Sequence, residues 1–231
     1  MDLGYRPQRV LGTALLFLFL ITGCKRQSAM LPDSAYTPYI AAFTTGHVSA
    51  TSTVLVRISD EQRWRDTAAT DLQQVFSLDP SVPGTVTWQD RQTLVFTPAE
   101  RLRPNTLHTV RFKLGQLIEV PSGLEVFTFQ FTTVAQGIDV RVSDLQPLSL
   151  SDLTWSRAIV QVYTSDDASG QDLEGCFTAM QDGRRLPLTW EHEPNGRHHR
   201  FVADSIHRGD TPSTVTFTWS GKAIGADAEG S

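Results

Sequence analysis

Val160-Gln161-Val162-Tyr163-Thr164-Ser165-Asp166 repeats, 106 residues on, the pattern of Val54-Leu55-Val56-Arg57-Ile58-Ser59-Asp60. Every second residue in the apolar part of each stretch is built to be buried, which is the period of a strand with one face in a core. Two more pairs follow in the same order. Leu72-x-x-x-Phe76-Ser77 matches Leu173-x-x-x-Phe177-Thr178 at an offset of 101, and Thr109-Val110-x-Phe112 matches Thr214-Val215-x-Phe217 at 105. Nearly constant offsets in a fixed order predict two tandem copies of one module. A period of about 100 residues suits a sandwich of roughly seven strands.

The stretches around these anchors are also β in character. Thr85–Trp88 and Thr93–Phe96 flank the polar group Gln89–Gln92, which predicts a hairpin. Thr109–Phe112 and Val126–Phe131 follow, rich in aromatic and β-branched residues. In the second copy, Asp182-Gly183 separates Cys176–Gln181 from Arg185–Trp190, and Asn195-Gly196 separates Leu188–His192 from His198–Val202. Both dipeptides favour the turn twist that antiparallel strands need, so three strands in a meander are expected. Trp88, Trp155, Trp190 and Trp219 fall on or beside strands, where packing between sheets is the expected role. The best helical candidate is Asp66–Val75, about two turns long. The second copy ends differently from the first: Thr214–Trp219 is followed only by the small, polar Gly221–Ser231. A closing strand is missing from the pattern, which leaves a sheet edge unpaired. The expectation is that the chain is the front of a longer polypeptide.

The amino end carries an export pattern. Arg6 and Arg9 precede an apolar run of 12 residues, Val10 to Ile21, too short to cross a bilayer as a helix. Leu20-Ile21-Thr22-Gly23-Cys24 then resembles the lipobox of bacterial lipoproteins. That resemblance implies cleavage between Gly23 and Cys24 and acyl lipid on Cys24, the only covalent group expected. With two or more chains, such an anchor holds stably to membrane lipid. Lys25 rather than Asp follows the cysteine, which favours the outer membrane over the inner. The implied location is the bacterial cell envelope. Residues 25–37 are small and polar and read as a tether of 13 residues, with a reach of roughly 45 Å. The expected organisation is a signal peptide over 1–23, a lipidated tether over 24–38, a first sandwich over 39–135 and a second over 136–231, incomplete at its C-terminus.

Composition narrows the partners. Of 20 basic and 25 acidic side chains, cleavage removes Arg6, Arg9 and Asp2, leaving 18 and 24 and a net charge of −6. Such a balance has no basic footprint for nucleic acid. With Cys24 acylated, Cys176 is the sole remaining thiol, so no intramolecular disulfide forms and stability rests on apolar burial. Cys176 itself reads as a small buried hydrophobe.

Chemical motifs are few. Gly-x-Ser-x-Gly, phosphate-binding glycine loops, His-Glu-x-x-His and Cys-x-x-Cys do not occur, so no catalytic residues, resident metal or other cofactor are expected, and the chain reads as a non-enzyme. His192, His198 and His199 lie on two arms of one hairpin and could approach a shared metal, although a polar hairpin tip explains them equally. Asp166–Glu174 offers carboxylates for calcium at a spacing unlike the twelve-residue calcium loop, and reads as a solvated loop. Arg63-Trp64-Arg65 is either a contact surface or a loop with its Trp folded onto the sandwich.

One longer resemblance organises these readings. Val75-Phe76-Ser77-Leu78-Asp79-Pro80-Ser81-Val82-Pro83-Gly84 leads to Val86-Thr87-Trp88, then Thr93-Leu94-Val95-Phe96-Thr97-Pro98 and Leu102-Arg103-Pro104-Asn105-Thr106. This resembles the N-terminal Ig-like (macroglobulin-type) domains of bacterial α2-macroglobulin lipoproteins, and also the Ig-like repeats of other bacterial surface proteins. The second copy, with Ser165-Asp166, Leu173 and Gly221-Lys222-Ala223-Ile224-Gly225, looks like the next domain of the same proteins. His108 stands where such modules commonly carry Tyr. The resemblance implies an all-β chain of two tandem Ig-like antiparallel sandwiches. It also implies a role in protease trapping, in which a cut bait segment triggers closure around a target protease and a thioester often captures it. The thioester signature Cys-x-Glu-Gln is absent here and no bait region can be assigned, so trapping is expected of further domains, and this chain supplies anchor and scaffold. The alternative is an Ig-like envelope or surface lipoprotein for adhesion or glycan binding.

Overall fold

The computed structural model describes residues 32–60, 62–66 and 70–231. The first module contains β1 (Ile40–Phe43), β2 (Gly46–Val48), β3 (Val54–Ile58), β4 (Phe76–Asp79), β5 (Gly84–Trp88), β6 (Thr93–Pro98), β7 (Leu107–Phe112) and β8 (Phe127–Thr133). They form two sheets, ordered β1-β3-β6-β5 and β2-β8-β7-β4. All pairs are antiparallel except β2 with β8. This is the strand order of an Ig fold, with the first strand split between the two sheets.

The second module repeats the scheme with β9 (Ile138–Pro147), β10 (Trp155–Thr164), α1 (Gly170–Gly175), β11 (Phe177–Gln181), β12 (Arg184–Arg185), β13 (Leu188–His192), β14 (His198–His207), β15 (Val215–Ser220) and β16 (Glu229–Gly230). Its sheets run β9-β10-β14-β13 and β12-β11-β15-β16. The chain is therefore all-β, with two tandem Ig-like antiparallel sandwiches.

Alternation explains the cores. Val54, Val56 and Ile58 of β3 are fully buried, and so are Val160 and Val162 of β10. Phe127, Phe129 and Phe131 of β8 point inward between outward Thr128, Gln130 and Thr132, and with Phe112 they dominate the first core. The second core is lighter and gathers around Leu173, Phe177, Phe201 and Leu186. Each core contains residues of one module only.

The registers refine the internal repeat. Phe76 of β4 pairs with Phe112, whereas its counterpart Phe177 in β11 pairs with Trp219. The structural equivalent of Phe112 is thus Trp219, two residues beyond the sequence match at Phe217. A shift of two keeps every side chain on its face, so the sequence pattern could not register it.

Other expectations need correction. The stretch Arg185–Trp190 is not one strand. The Asp182-Gly183 turn, with both φ positive at 48° and 77°, does return the chain along β11. Pro187 then follows the buried Leu186, and the chain crosses to the other sheet before β13 pairs with β14. Proline lacks the N–H that a continuing ladder requires. The described part of Asp66–Val75 holds only the 3₁₀ turn Leu72–Gln74, capped by the Asp71 side chain. The α-helix lies instead at Gly170–Gly175, within the stretch read as a solvated loop, where Ser169 caps it and Leu173 is buried. Trp155 faces outward, 39% exposed, because its neighbour Ser156 takes the inward position.

His108 is buried on β7 and stacks on Phe131 at 5.0 Å. Neither ring nitrogen has a hydrogen-bond partner. Burial pushes its pKa below the ordinary 6.5, so the folded module holds it neutral. As pH falls below that range, the unfolded chain takes up a proton the folded one resists, and stability declines. Urea midpoints between pH 7 and pH 5 should therefore fall less steeply in His108→Phe than in the parent. Phe129→Ala should cost about 3–5 kcal/mol in the same assay, as expected for a truncated core aromatic.

Candidate functional site

Only residues 134–137 separate β8 from β9, and several of their polar groups are tied to one module or the other. Val134 N–H donates to the Val48 carbonyl at 2.9 Å. The buried Gln136 side chain accepts from the Asp166 amide at 2.9 Å and donates to the Asp166 carbonyl at 3.0 Å. The linker is thereby fastened to Asp166, two residues past the end of β10.

Asp166 is the centre of this junction and is 1% exposed. Its Oδ2 accepts the Ala50 amide of the first module at 2.7 Å and faces Arg101 Nη2 at 3.5 Å. Its Oδ1 faces Arg197 Nη2 of the second module at 3.4 Å. Arg197 Nε also meets Asp167 Oδ1 at 3.1 Å, and the Thr51 hydroxyl donates to Asp167 Oδ2 at 3.1 Å. Burial pushes the Asp166 carboxyl upward, but hydrogen bonds from Ser49 and from the Ala50 and Asp167 amides, with the Arg101 charge, hold it below the usual carboxylate range. The group is an ionised clasp between the two sandwiches. Sequence reasoning missed this role, because Ser59-Asp60 and Ser165-Asp166 are the same dipeptide and yet Asp60 is exposed in the first copy.

The same contacts answer the calcium reading. Asp166 and Asp167 direct their oxygens to arginines and to Ala50 and Thr51, with no open cluster between them. Among the described residues, no group of three or more His, Cys, Asp or Glu is placed to hold a metal ion. The hairpin does bring His192 opposite His199, with Nδ1 to Nδ1 at 2.9 Å, so one ring donates to the other. His192 Nε2 reaches Glu174 at 3.1 Å. His198 lies on the opposite face, stacked on Tyr163 at 4.6 Å and bonded to Glu193 at 2.6 Å. The three histidines therefore serve two separate contacts. Burial, then the neighbouring His192, pushes the His199 pKa down.

Cys176 is buried in the second core, its thiol directed at the Asp172 carbonyl at 3.3 Å, and burial raises its pKa. Trp64 pairs by one bridge with Ile118 and packs edge-on against Trp88 at 5.8 Å, so the loop Trp lies on the sandwich and keeps 39% exposure. Gly23 and Cys24, the cleavage and lipidation residues, lie outside the described residues.

Fold and junction together define a class, the tandem Ig-like module pair with a polar clasp. No known family pattern matches the chain, and no curated protein matches it. Solved structures give distant likenesses. An L,D-transpeptidase from Mycobacterium tuberculosis H37Rv is 13% identical with a TM-score of 0.31, over 66% of this chain and 63% of that one. L,D-transpeptidase 3 from Mycobacterium tuberculosis is 10% identical with a TM-score of 0.31, over 74% and 77%. A chimeric titin Z1Z2 is 11% identical with a TM-score of 0.30, over 78% and 95%. Likenesses of this size carry no functional argument.

Asp166→Ala strands the buried Ala50 amide and removes the partner of two guanidinium groups. It should cost about 1–3 kcal/mol in urea unfolding and speed hydrogen exchange at Ala50. The same clasp should loosen in acid. Its stabilisation is complete above the ordinary carboxylate range and is lost as pH falls through the lowered pKa of Asp166.

Proposed function

We propose that this chain is the membrane-anchored N-terminal scaffold of a bacterial α2-macroglobulin-like protease inhibitor, with trapping carried out by further domains. The observation that carries the reading is the Asp166 clasp. A spacer between a membrane and a moving trap must keep its direction, and a buried carboxylate bonded to both sandwiches resists bending at the linker. The lipobox at Cys24 and the Val75–Thr106 motif support the same reading. Membrane lipid and target proteases are the partners it implies.

The adhesion or glycan-binding reading draws on Trp155 and Tyr163, which both face outward from β10. Each already packs against a histidine of β14, His207 at 5.1 Å and His198 at 4.6 Å, which leaves less ring face for a sugar. The scaffold reading is therefore preferred.

Two measurements test it. Membranes carrying the natural protein, mixed with an endoprotease, should slow casein digestion several-fold and leave cleavage of a small chromogenic peptide nearly unchanged, because enclosure excludes only large substrates. Casein digestion at the uninhibited rate contradicts the reading, and equal loss of both activities points to a blocked active site instead. Separately, Cys24→Ala should move the protein from the membrane fraction to the soluble periplasm. Unchanged partition would remove the anchor.

A further inference from the structure

The hairpin of β13 and β14 and the short helix α1 meet at two histidine rings. His192 and His199 pair across the hairpin with Nδ1 to Nδ1 at 2.9 Å. His199 is 1% exposed, and its Nε2 stands 3.2 Å from the Gly196 carbonyl. His192 turns its Nε2 to Glu174 of α1, 3.1 Å away. The His192 ring is also held from the sides. It stacks on Trp190 with 5.7 Å between centroids. It lies so close to Gly170, at the start of α1, that a Cβ there would come within 2.8 Å of it. The row of Glu174, His192, His199 and Gly196 thus runs from helix to turn with every ring nitrogen in a contact.

These contacts fix the number of protons in the row. A carbonyl only accepts, so His199 donates from Nε2 and, as a neutral ring, keeps Nδ1 bare. The bond between the two Nδ1 atoms then takes its hydrogen from His192. An ionised carboxylate also only accepts, so the contact with Glu174 needs a further hydrogen between Nε2 and Oε1. The count is the same whichever of those two atoms holds it. Three hydrogens are required, whereas two neutral imidazoles bring two. The extra one is a proton taken from water, and it leaves the pair with one positive charge facing Glu174. Burial first, then the neighbouring His192, pushes the His199 pKa below the ordinary 6.5, so the charge sits on His192. Without the extra proton, a bare Nε2 faces a carboxylate oxygen and the contact turns repulsive.

We propose that His192, His199 and Glu174 form a proton-operated latch: uptake of one proton by the histidine pair fastens α1 to the β13–β14 hairpin, and its loss releases α1. Other charges around the rings have partners of their own. Glu191 beside His192 is bonded to Arg200 at 2.7 Å, and Arg197 beyond Gly196 meets Asp166 and Asp167. Glu193 holds His198 on the opposite face, where His198 also meets Gln161 of β10 and stacks on Tyr163. Glu193 and His198 act on His199 in opposite directions, and Asp172 of α1 acts on Cys176. The latch and the Asp166 clasp share one turn, in which Gly196 serves the first and Arg197 the second. They answer acid with opposite sign. A contact made only by the charged pair is present below the pH at which the pair charges and is lost above it. The clasp is lost as pH falls through the lowered pKa of Asp166.

The test is amide hydrogen exchange of the 231-residue chain, read at Leu173 and Cys176, whose N–H groups donate to the Ser169 and Leu173 carbonyls of this helix. Protection factors, from which the intrinsic effect of pH on exchange is removed, should rise about two- to fivefold between pH 8 and pH 5.5, the size of a partly exposed ion pair. In nitrogen-15 spectra the rise should follow the charging of His192, while His199 stays neutral with its proton on Nε2. Glu174→Gln, at an exposed site, should hold α1 equally at both pH values. Its amide donates to the bare Nε2 of neutral His192 and its carbonyl accepts from the charged ring. Glu174→Ala should be equally flat, at the low level the parent shows at pH 8. His198 should titrate unchanged in both variants. The proposal is overturned by parent protection that does not change with pH, by a Glu174→Gln slope equal to the parent's, or by charging of His199 ahead of His192.

Discussion

A single buried carboxylate determines whether this chain is one object or two. Asp166 accepts a backbone amide from the first sandwich and faces an arginine from each module. A buried ion costs desolvation, and this one is tolerated because its oxygens are filled from several directions. Each sandwich has its own apolar core and would hold without the clasp. Among the described residues, their mutual direction is held by this polar group, by the Gln136 contacts that tie the linker beside it, by the Thr51–Asp167 bond and by Pro104 packed beside Gly225.

The two copies show how one pattern tolerates unequal completion. The first is closed on both sides, with β8 driving three phenylalanines into the interior. The second keeps the same strand order but is covered on one side by only two residues of β16. Val142 and Leu145, on the core side of β9, remain more than half exposed among the described residues.

Much of this architecture could be read from the sequence. Alternation in Val54–Ile58 and Val160–Thr164 announces core strands, and Asp182-Gly183 places a turn, because both signals are local. What escaped reading depends on contacts distant in sequence. Ser59-Asp60 and Ser165-Asp166 look alike, yet only the second meets Ala50, 116 residues away. The sheet change at Leu186-Pro187 is decided by where Leu186 finds a core, and α1 by the burial of Leu173 inside an otherwise polar stretch. The outward turn of Trp155 follows from the inward position of Ser156, which composition alone argues against.

A clasped pair of sandwiches suits the proposed role of a scaffold that presents something at a set distance and angle from a membrane. That angle depends on the clasp. Residual dipolar couplings of the soluble chain, recorded for amides of both sandwiches at neutral pH, test it most directly. One alignment tensor should describe both modules in the parent and separate into two in Asp166→Ala. Two independent tensors in the parent would show that the sandwiches move separately, and would contradict the account.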